Sequence, residues 1–486
     1  MDMAKAEMVD VQGGVRGRLV SLSVPAGGIR PDVLLASGEG RPRGMWAREG
    51  RCLVHLGMAA SLSVPSIRQE GSRFGSVWRQ ARELLAGAEE VESSPSHAPS
   101  PRFFGGFSFA GNHEGRGVWA PFPSAFFVLP EVELAEEDGN GDGMLTLRSF
   151  APHDMGTDEV RKGLARRLEE LRALRVASFP AAPPGEGWVP AIRAQTNEEV
   201  WRELVEGVLD AVAEDALSKV VLARAQRVVT EGELDPVEVL RHLRRENPGS
   251  YAFLFEPRPG SVLLGAPPET VATVSAGEFT ATAVAGSVSP GSSAAERETL
   301  ARRLLASEKD RLEHRLCVDD MVTRLQPLAR EVEADSEPRV VAFSSVQHLE
   351  TRIRARLNSG ETVLSALESL HPTPAVCGFP RDRANAFLER EEPFERGWYA
   401  GPVGWFDGRG NGVFAPALRA GVREGEEWRL FAGAGIVAGS EAAREWEETR
   451  MKFQPVLRAL AATGARNGED GEGGEGDDPK KGEGRR

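Results

Sequence analysis

The sequence predicts an α+β fold, a layered α/β arrangement in which two sheet-containing subdomains of largely antiparallel strands are flanked by helices. Short β-branched runs punctuated by Gly, Pro or Asn alternate with amphipathic helical stretches, and the regular strand–helix–strand order of a doubly wound parallel sheet is missing. The chain has 486 residues, 41% hydrophobic and 27% charged, with 54 Gly and 32 Pro, a turn-rich globular composition that excludes disorder of the whole chain. Its formal net charge of −14 repels a phosphate backbone, so nucleic acid is excluded as an expected partner.

From the N-terminus, residues 1–24 carry neither an unbroken apolar stretch nor a small-residue cleavage pattern, and no uncharged apolar run of about 18 residues occurs anywhere. A cytoplasmic protein without membrane contact is expected. Cys52, Cys317 and Cys377 are far apart and lack paired spacing, which argues against a disulfide framework or a cysteine-ligated metal. Two stretches break the periodic pattern, Glu89 to Pro101 (EEVESSPSHAPSP) and Ser178 to Pro190 (SFPAAPPGEGWVP). The second is the major boundary: an N-terminal subdomain over 1–190 and a main region over 191–464. Residues 465–486 offer nothing apolar to bury and are expected to form a disordered acidic, Gly-rich tail.

Between the two breaks, FFGGFSFAG and VWAPFPSAFFVLPEVEL read as strands. DGNGDG (Asp138 to Gly143) imitates a calcium loop, but Ser149 stands where a bidentate Glu is needed, so a hairpin turn is expected. Thr196 and Glu199 form a capping box that opens a long amphipathic helix. KVVLARAQRVV, SYAFLFEP, SVLLGAPPETVATV and EFTATAVAGSV follow as four antiparallel strands. Helical segments return at AAERETLARRLLASEKDRLEHRLCVDDMVTRL, VLSALESL and RANAFLER. Strands GVFAPALRAGV and WRLFAGAGIV and a helix SEAAREWEETRMKFQPVLRAL complete the ordered part.

Several of these elements carry residues with chemical potential. Asp310 and Glu313 share one helix face; Glu445, Glu448 and Lys452 share another, within roughly a 60° arc. Such carboxylates suit Mg²⁺, a hard cation that takes one or two of them; they equally suit a solvated face with pairs such as Glu448 and Lys452. Lys219 heads a strand and Glu269 follows a Gly-Ala-Pro-Pro turn. They are either a base and an acid with shifted pKa values or an edge-strand lysine and a turn residue. FAGAGIVAG (Phe431 to Gly439) imitates a dinucleotide fingerprint, but its spacing is imperfect and no βαβ unit follows. It reads instead as a glycine-rich turn before a helix, with backbone N–H groups free to bind the carboxylate of a small acid. Arg419 and Tyr399 add donors for that anion, although Tyr399 equally suits packing, and His348 is a core residue or a pocket wall.

The segments SKVVLARA, LLGAPPET, AVAGSV, SEKDRLEH, QHLETRI, LHPTPAVCGFPR, GWYAGPVGW, FAGAGIVAGSE and EWEETRMK occur in the order seen in chorismate-utilising enzymes. The chain most closely resembles the isochorismate synthases among them, densely from Thr196 to Leu460 and more loosely before that. The resemblance implies an anthranilate synthase component I-like fold, with 191–464 as the chorismate-binding catalytic region. It implies that Lys219 deprotonates a water attacking C2 of chorismate while Glu269 protonates the departing C4 hydroxyl. It also implies Mg²⁺ held by Glu313 and Glu448, with Asp310 and Glu445 behind them. Gly286, Ser287, His348, Ala375, Tyr399, Arg419, Gly433, Gly435 and Lys452 are then substrate-binding residues. A monomer or homodimer acting in menaquinone or siderophore synthesis is expected.

Family members with other chemistries differ at marked positions. Anthranilate synthases usually carry Gln where Lys219 stands, and aminodeoxychorismate synthases a lysine where this chain has Ala285. Salicylate synthases, the enzymatic alternative, tend to have Thr at the position of Ala375. An inactive chorismate-binding regulator is the alternative of another class; the joint presence of Lys219, Glu269, Glu313 and Glu448 argues against it.

Overall fold

The computed structural model describes residues 9–10, 17–66, 72–93, 100–136, 143–152, 155–174, 191–230, 232–343 and 346–471. They form two large sheets. The thirteen-stranded sheet runs through Lys219–Val229, Glu427–Val437, Ala420–Glu424, Ser261–Gly265, Ala252–Arg258, Arg43–Arg48, Arg51–Leu56, Val132–Glu136, Gly143–Ala151 and Arg18–Pro25. The eleven-stranded sheet runs through Ala60–Val64, Ala125–Leu129, Arg102–Phe107, Pro402–Asp407, Gly412–Pro416, Ala272–Ser275, Glu278–Val288 and Gln347–Leu357. Among the described residues only two pairings are parallel, Val9–Asp10 with Ala60–Val64 and Arg18–Pro25 with Glu89–Ser93. The fold is α+β, as the mixture of short strands and helices predicts. Each sheet takes strands from both sides of residue 190, so the sheets do not divide where the Pro-rich linker lies; that linker is outside the described residues.

Burial explains the layering. One apolar cluster packs the larger sheet against outer helices through Leu34, Leu35, Leu164, Leu168, Leu240, Leu243, Phe453 and Leu460. Another packs the smaller sheet against helices through Phe74, Val77, Cys317, Met321, Leu364 and Leu367. The remaining cluster contains Phe253, Phe255, Val422 and Phe431 of the larger sheet with Val128, Val403 and Ala415 of the smaller one, joining the two. Helices therefore cover outer faces while the sheets face each other.

Two strand-rich runs are each two strands in different sheets, and in the first the break falls at the Gly-Ala-Pro-Pro turn read before Glu269. SVLLGAPPETVATV gives Ser261–Gly265 in the larger sheet and Ala272–Ser275 in the smaller. GVFAPALRAGV gives Gly412–Pro416 in the smaller and Ala420–Glu424 in the larger. Pro267, Pro268 and Pro416 have no N–H to extend a ladder, so the chain leaves one sheet there and joins the other. Glu269 and Arg419 sit in these crossings.

Three expectations about helix ends need correction or stop short. The helix after the Pro-rich linker, Glu198–Ala213, is capped by Asn197, whose side chain accepts from Val200 N at 2.9 Å, while the Thr196 hydroxyl is buried without a described partner. The long run after residue 293 is two helices, Ala294–Ala306 and Glu308–Leu325, because Ser307 Oγ accepts from Asp310 N at 3.3 Å and caps the second. The last helix runs Ala442–Gly471; the rest of the acidic tail lies outside the described residues. The DGNGDG turn lies outside them too up to Gly143, although the strands it joins pair antiparallel.

Candidate active site

A cleft of about 740 Å³, counted with its open mouth, lies where the two sheets face each other beside helices Glu308–Leu325 and Ala442–Gly471. Lys219, Glu269, Gly286, Ser287, Glu313, His348, Ala375, Tyr399, Arg419, Gly433, Gly435, Glu448 and Lys452 all line it. Asp310 and Glu445 do not. Asp310 packs behind Gly286, where an added Cβ would meet Asp310 Cβ at 3.1 Å, and Glu445 pairs with Lys309 at 3.3 Å.

The strand Lys219–Val229 points Lys219 and Val221 to the same face, by the two-residue period of a strand. Opposite it, Gly435 pairs with Val221 and Gly433 with Ala223. The two glycines are therefore in the middle of a strand, as the run WRLFAGAGIV predicts and against the reading of FAGAGIVAG as a turn before a helix: their N–H groups belong to a ladder. Their role is steric. A Cβ on Gly435 would stand 2.5 Å from Glu313 Oε1 and 3.1 Å from Lys219 Cε, and one on Gly433 would stand 3.1 Å from the Tyr399 hydroxyl. Only Gly439, with φ of 79°, occupies the turn before the helix.

Lys219 is 1% exposed, and its Nζ lies 2.8 Å from Glu313 Oε1 and 3.5 Å from Cys317 Sγ, one helical turn further on. Burial disfavours the ammonium, yet Cys317 and Glu313 outweigh it and hold the lysine above its ordinary range. Burial also pushes the Cys317 thiol up to about 11, so at neutral pH that thiol is uncharged and Glu313 is the effective counter-ion. Glu269 is raised to about 7 by burial, with Lys452, Lys219 and Arg419 opposing and Glu350 adding to the shift. A carboxyl with that affinity keeps its proton in the range where a general acid needs it.

The other walls carry further polar groups. Gly286, with φ of 73°, forms a bulge where Ala285 and Ser287 shift register against the strand Gln347–Leu357. The bulge brings the Gly286 carbonyl to 3.2 Å and the Ser287 hydroxyl to 3.0 Å from His348 Nδ1. Because the carbonyl only accepts, Nδ1 carries the hydrogen and Nε2 is an acceptor. Burial holds this imidazole well below its usual pKa, so it is neutral. Burial raises the Tyr399 phenol, which keeps its O–H, and its ring stacks on Phe431 at 5.1 Å. Arg419 is buried in a left-handed conformation, φ 47°, and its Nη1 has no hydrogen-bond partner among the described residues. Lys452 Nζ reaches Gly433 O at 2.8 Å and Glu448 Oε1 at 2.7 Å.

The four carboxylates suit a divalent cation. Asp310 and Glu445 are both raised above their ordinary range by burial and by neighbouring carboxylates, Glu313 and Glu448 for the first and Glu448 for the second. Among the described residues no group of three or more Asp, Glu, His or Cys is gathered tightly enough to hold a metal alone. Mg²⁺ does not need such a cage, since it takes one or two carboxylates with water and substrate oxygens. Glu313 and Glu448, the pair that lines the cleft, match that requirement.

The apolar walls escaped the sequence reading: Val221, Pro268, Val284, Val376, Ala400, Leu418, Phe431 and Ala432 line the cleft as well, and Cys317 backs Lys219. The alternation along KVVLARA could have found Val221. The rest carry no chemical signal of their own.

Residues 6–461 match the chorismate-binding enzyme family. The chain is 35% identical over 365 residues to the salicylate biosynthesis isochorismate synthase of Pseudomonas aeruginosa, which covers 75% of each chain. It is 30% identical over 422 residues to isochorismate synthase MenF of Bacillus subtilis, 86% of this chain and 88% of that one. Its structure is similar to that of MenF, described as the menaquinone-specific isochorismate synthase from Escherichia coli. That match has a TM-score of 0.75 and 26% identity, over 92% of this chain and 95% of the other.

Proposed function

Because this chain belongs to the chorismate-binding enzyme family, we propose that its cleft carries the isochorismate synthase reaction of its relatives. Chorismate gains a hydroxyl at C2 and loses one at C4, an isomerisation in which water enters and water leaves. Lys219 takes a proton from the attacking water, and Glu269 gives its proton to the departing C4 hydroxyl. One observation carries this reading: Lys219 and Glu269 line the same cleft, and among the described residues no hydrogen bond or ion pair joins them, so each is left to act on a bound molecule.

Mg²⁺ would be held by Glu313 and Glu448, with Asp310 and Glu445 behind them, and would supply positive charge for the ring carboxylate. Lys219 becomes a base once Glu313 no longer holds its proton. Arg419, the Tyr399 hydroxyl and Lys452 supply donors for the carboxylates, and the neutral His348 with Ser287 forms the opposite wall. Ala375 leaves its part of the wall without a hydroxyl, which supports release of isochorismate over further elimination of pyruvate.

We place the enzyme in the cytoplasm as a monomer or homodimer, where its three buried cysteines stay as thiols. No helix among the described residues is long and apolar enough to cross a membrane. Product identification after incubation with chorismate, with and without Mg²⁺, tests the reading. Isochorismate formed only with Mg²⁺ is expected; salicylate with pyruvate, or no turnover at all, would overturn it. In Lys219→Ala, turnover should fall by about 10²- to 10⁴-fold while chorismate binding stays measurable by calorimetry. Near-native turnover in that variant would remove Lys219 from its role as base.

A further inference from the structure

Arg419 is a buried cation whose guanidinium makes no hydrogen bond or ion pair among the described residues. Its backbone is in the left-handed region, a conformation that a bulky residue adopts only when its surroundings impose it. Phe343 sits against the guanidinium, its ring centroid 5.0 Å from Arg419 Cζ. That is within cation–π range, where attraction grows as water is excluded. Phe343 also stands 6.0 Å from the His348 ring on the cleft wall, and its own position is fixed by a backbone hydrogen bond from Phe343 N to Val346 O at 2.9 Å.

We propose that Phe343 is a positioning residue for carboxylate capture: its ring holds the Arg419 guanidinium in place at the cleft, so that the arginine meets the substrate's carboxylate without first being ordered. The inference rests on the reading that the cleft takes chorismate, and it concerns binding, not the hydroxyl shift. A flexible Arg419 would lose side-chain freedom on capture, and a guanidinium without the ring would keep more of its water; both costs fall on substrate affinity.

Three forms of the full chain test this: wild type, Phe343→Leu, which keeps apolar volume and loses the π face, and Phe343→Tyr, which restores it. For chorismate, Phe343→Leu should raise KM on the order of ten-fold with kcat near native, and Phe343→Tyr should return KM close to wild type. Matching circular dichroism and melting curves exclude a folding effect. An unchanged KM in Phe343→Leu, a loss confined to kcat, or a failure of Phe343→Tyr to recover overturns the proposal. Titration calorimetry with benzoate, a ring carboxylate that needs no turnover, separates this from the functional reading. Weaker benzoate binding to Phe343→Leu with recovery in Phe343→Tyr supports the role of Phe343 even if the wild type does not convert chorismate. Equal binding by all three forms, or none by the wild type, overturns it.

Discussion

Glu269 is kept protonated at a cost to the fold. Burial lifts its pKa from an ordinary 4.5 to about 7. Below about pH 4.5 the folded and unfolded chains both carry this proton, and the group contributes nothing. Between there and about pH 7 the folded chain keeps a proton that the unfolded chain has lost, so stability falls as pH rises. Above pH 7 the full penalty applies, on the order of 3 kcal/mol for a shift of this size. Glu269→Gln removes the titration while keeping the shape. The variant should be inactive as an acid and yet more stable than wild type above pH 7, with the gap opening between pH 4.5 and 7 in urea melts. A wild type as stable as the variant at pH 8 would show that burial is not what raises the pKa. At this scale the sequence was informative about identity and silent about state. Lys219 and Glu269 stand out within SKVVLARA and GAPPET, but the Glu313 partner that keeps Lys219 charged comes from a helix elsewhere in the chain, and the burial that protonates Glu269 comes from both sheets.

Strand and helix patterns were legible wherever periodicity was uninterrupted. KVVLARAQRVV and EFTATAVAGSV are strands Lys219–Val229 and Glu278–Val288 over their whole lengths, and VLSALESL is helix Val363–Leu370. The passages between sheets were not legible. A run that leaves one sheet at a proline and enters another keeps the same β-branched composition on both sides, so the turn before Glu269 in SVLLGAPPETVATV is legible but the change of sheet across it is not. WRLFAGAGIV is a strand as read, but the second reading of its glycines as an anion-binding turn fails, since Gly433 and Gly435 make space inside a ladder. Gly435→Ala tests that role. The position is not among those with positive φ, so alanine suits the backbone, and the atom it meets is the end of a flexible side chain, Glu313 Oε1 at 2.5 Å. Glu313 should therefore turn away from Lys219 while the strand holds. The expected result is a melting temperature lowered by the loss of the buried Lys219–Glu313 ion pair, with a native circular dichroism spectrum, kcat lower by about ten-fold or more, and a raised Mg²⁺ concentration for half-maximal activity. An unchanged metal titration with native kcat would remove Gly435 from the support of Glu313.

Across the whole molecule, composition divides the chain at residue 190 and strand pairing does not. In the larger sheet Ala252–Arg258 pairs with Arg43–Arg48, and in the smaller Pro402–Asp407 pairs with Arg102–Phe107. A buried ion pair crosses the same line: Arg43 Nε lies 2.6 Å from Glu256 Oε2, with both side chains 5% exposed or less. Residues 191–464 expressed alone would open both sheets along these pairings, exposing two long unpaired edges and leaving Glu256 without its cation. The cleft residues all lie within 191–464, so a self-contained catalytic domain would retain activity on truncation. Strand pairing demands the opposite. The fragment should be insoluble or bind hydrophobic dye strongly, and co-expression with residues 1–190 should recover a soluble, active complex. A soluble fragment with a cooperative melt and native turnover would mean that the first 190 residues cover the catalytic sheets without completing them.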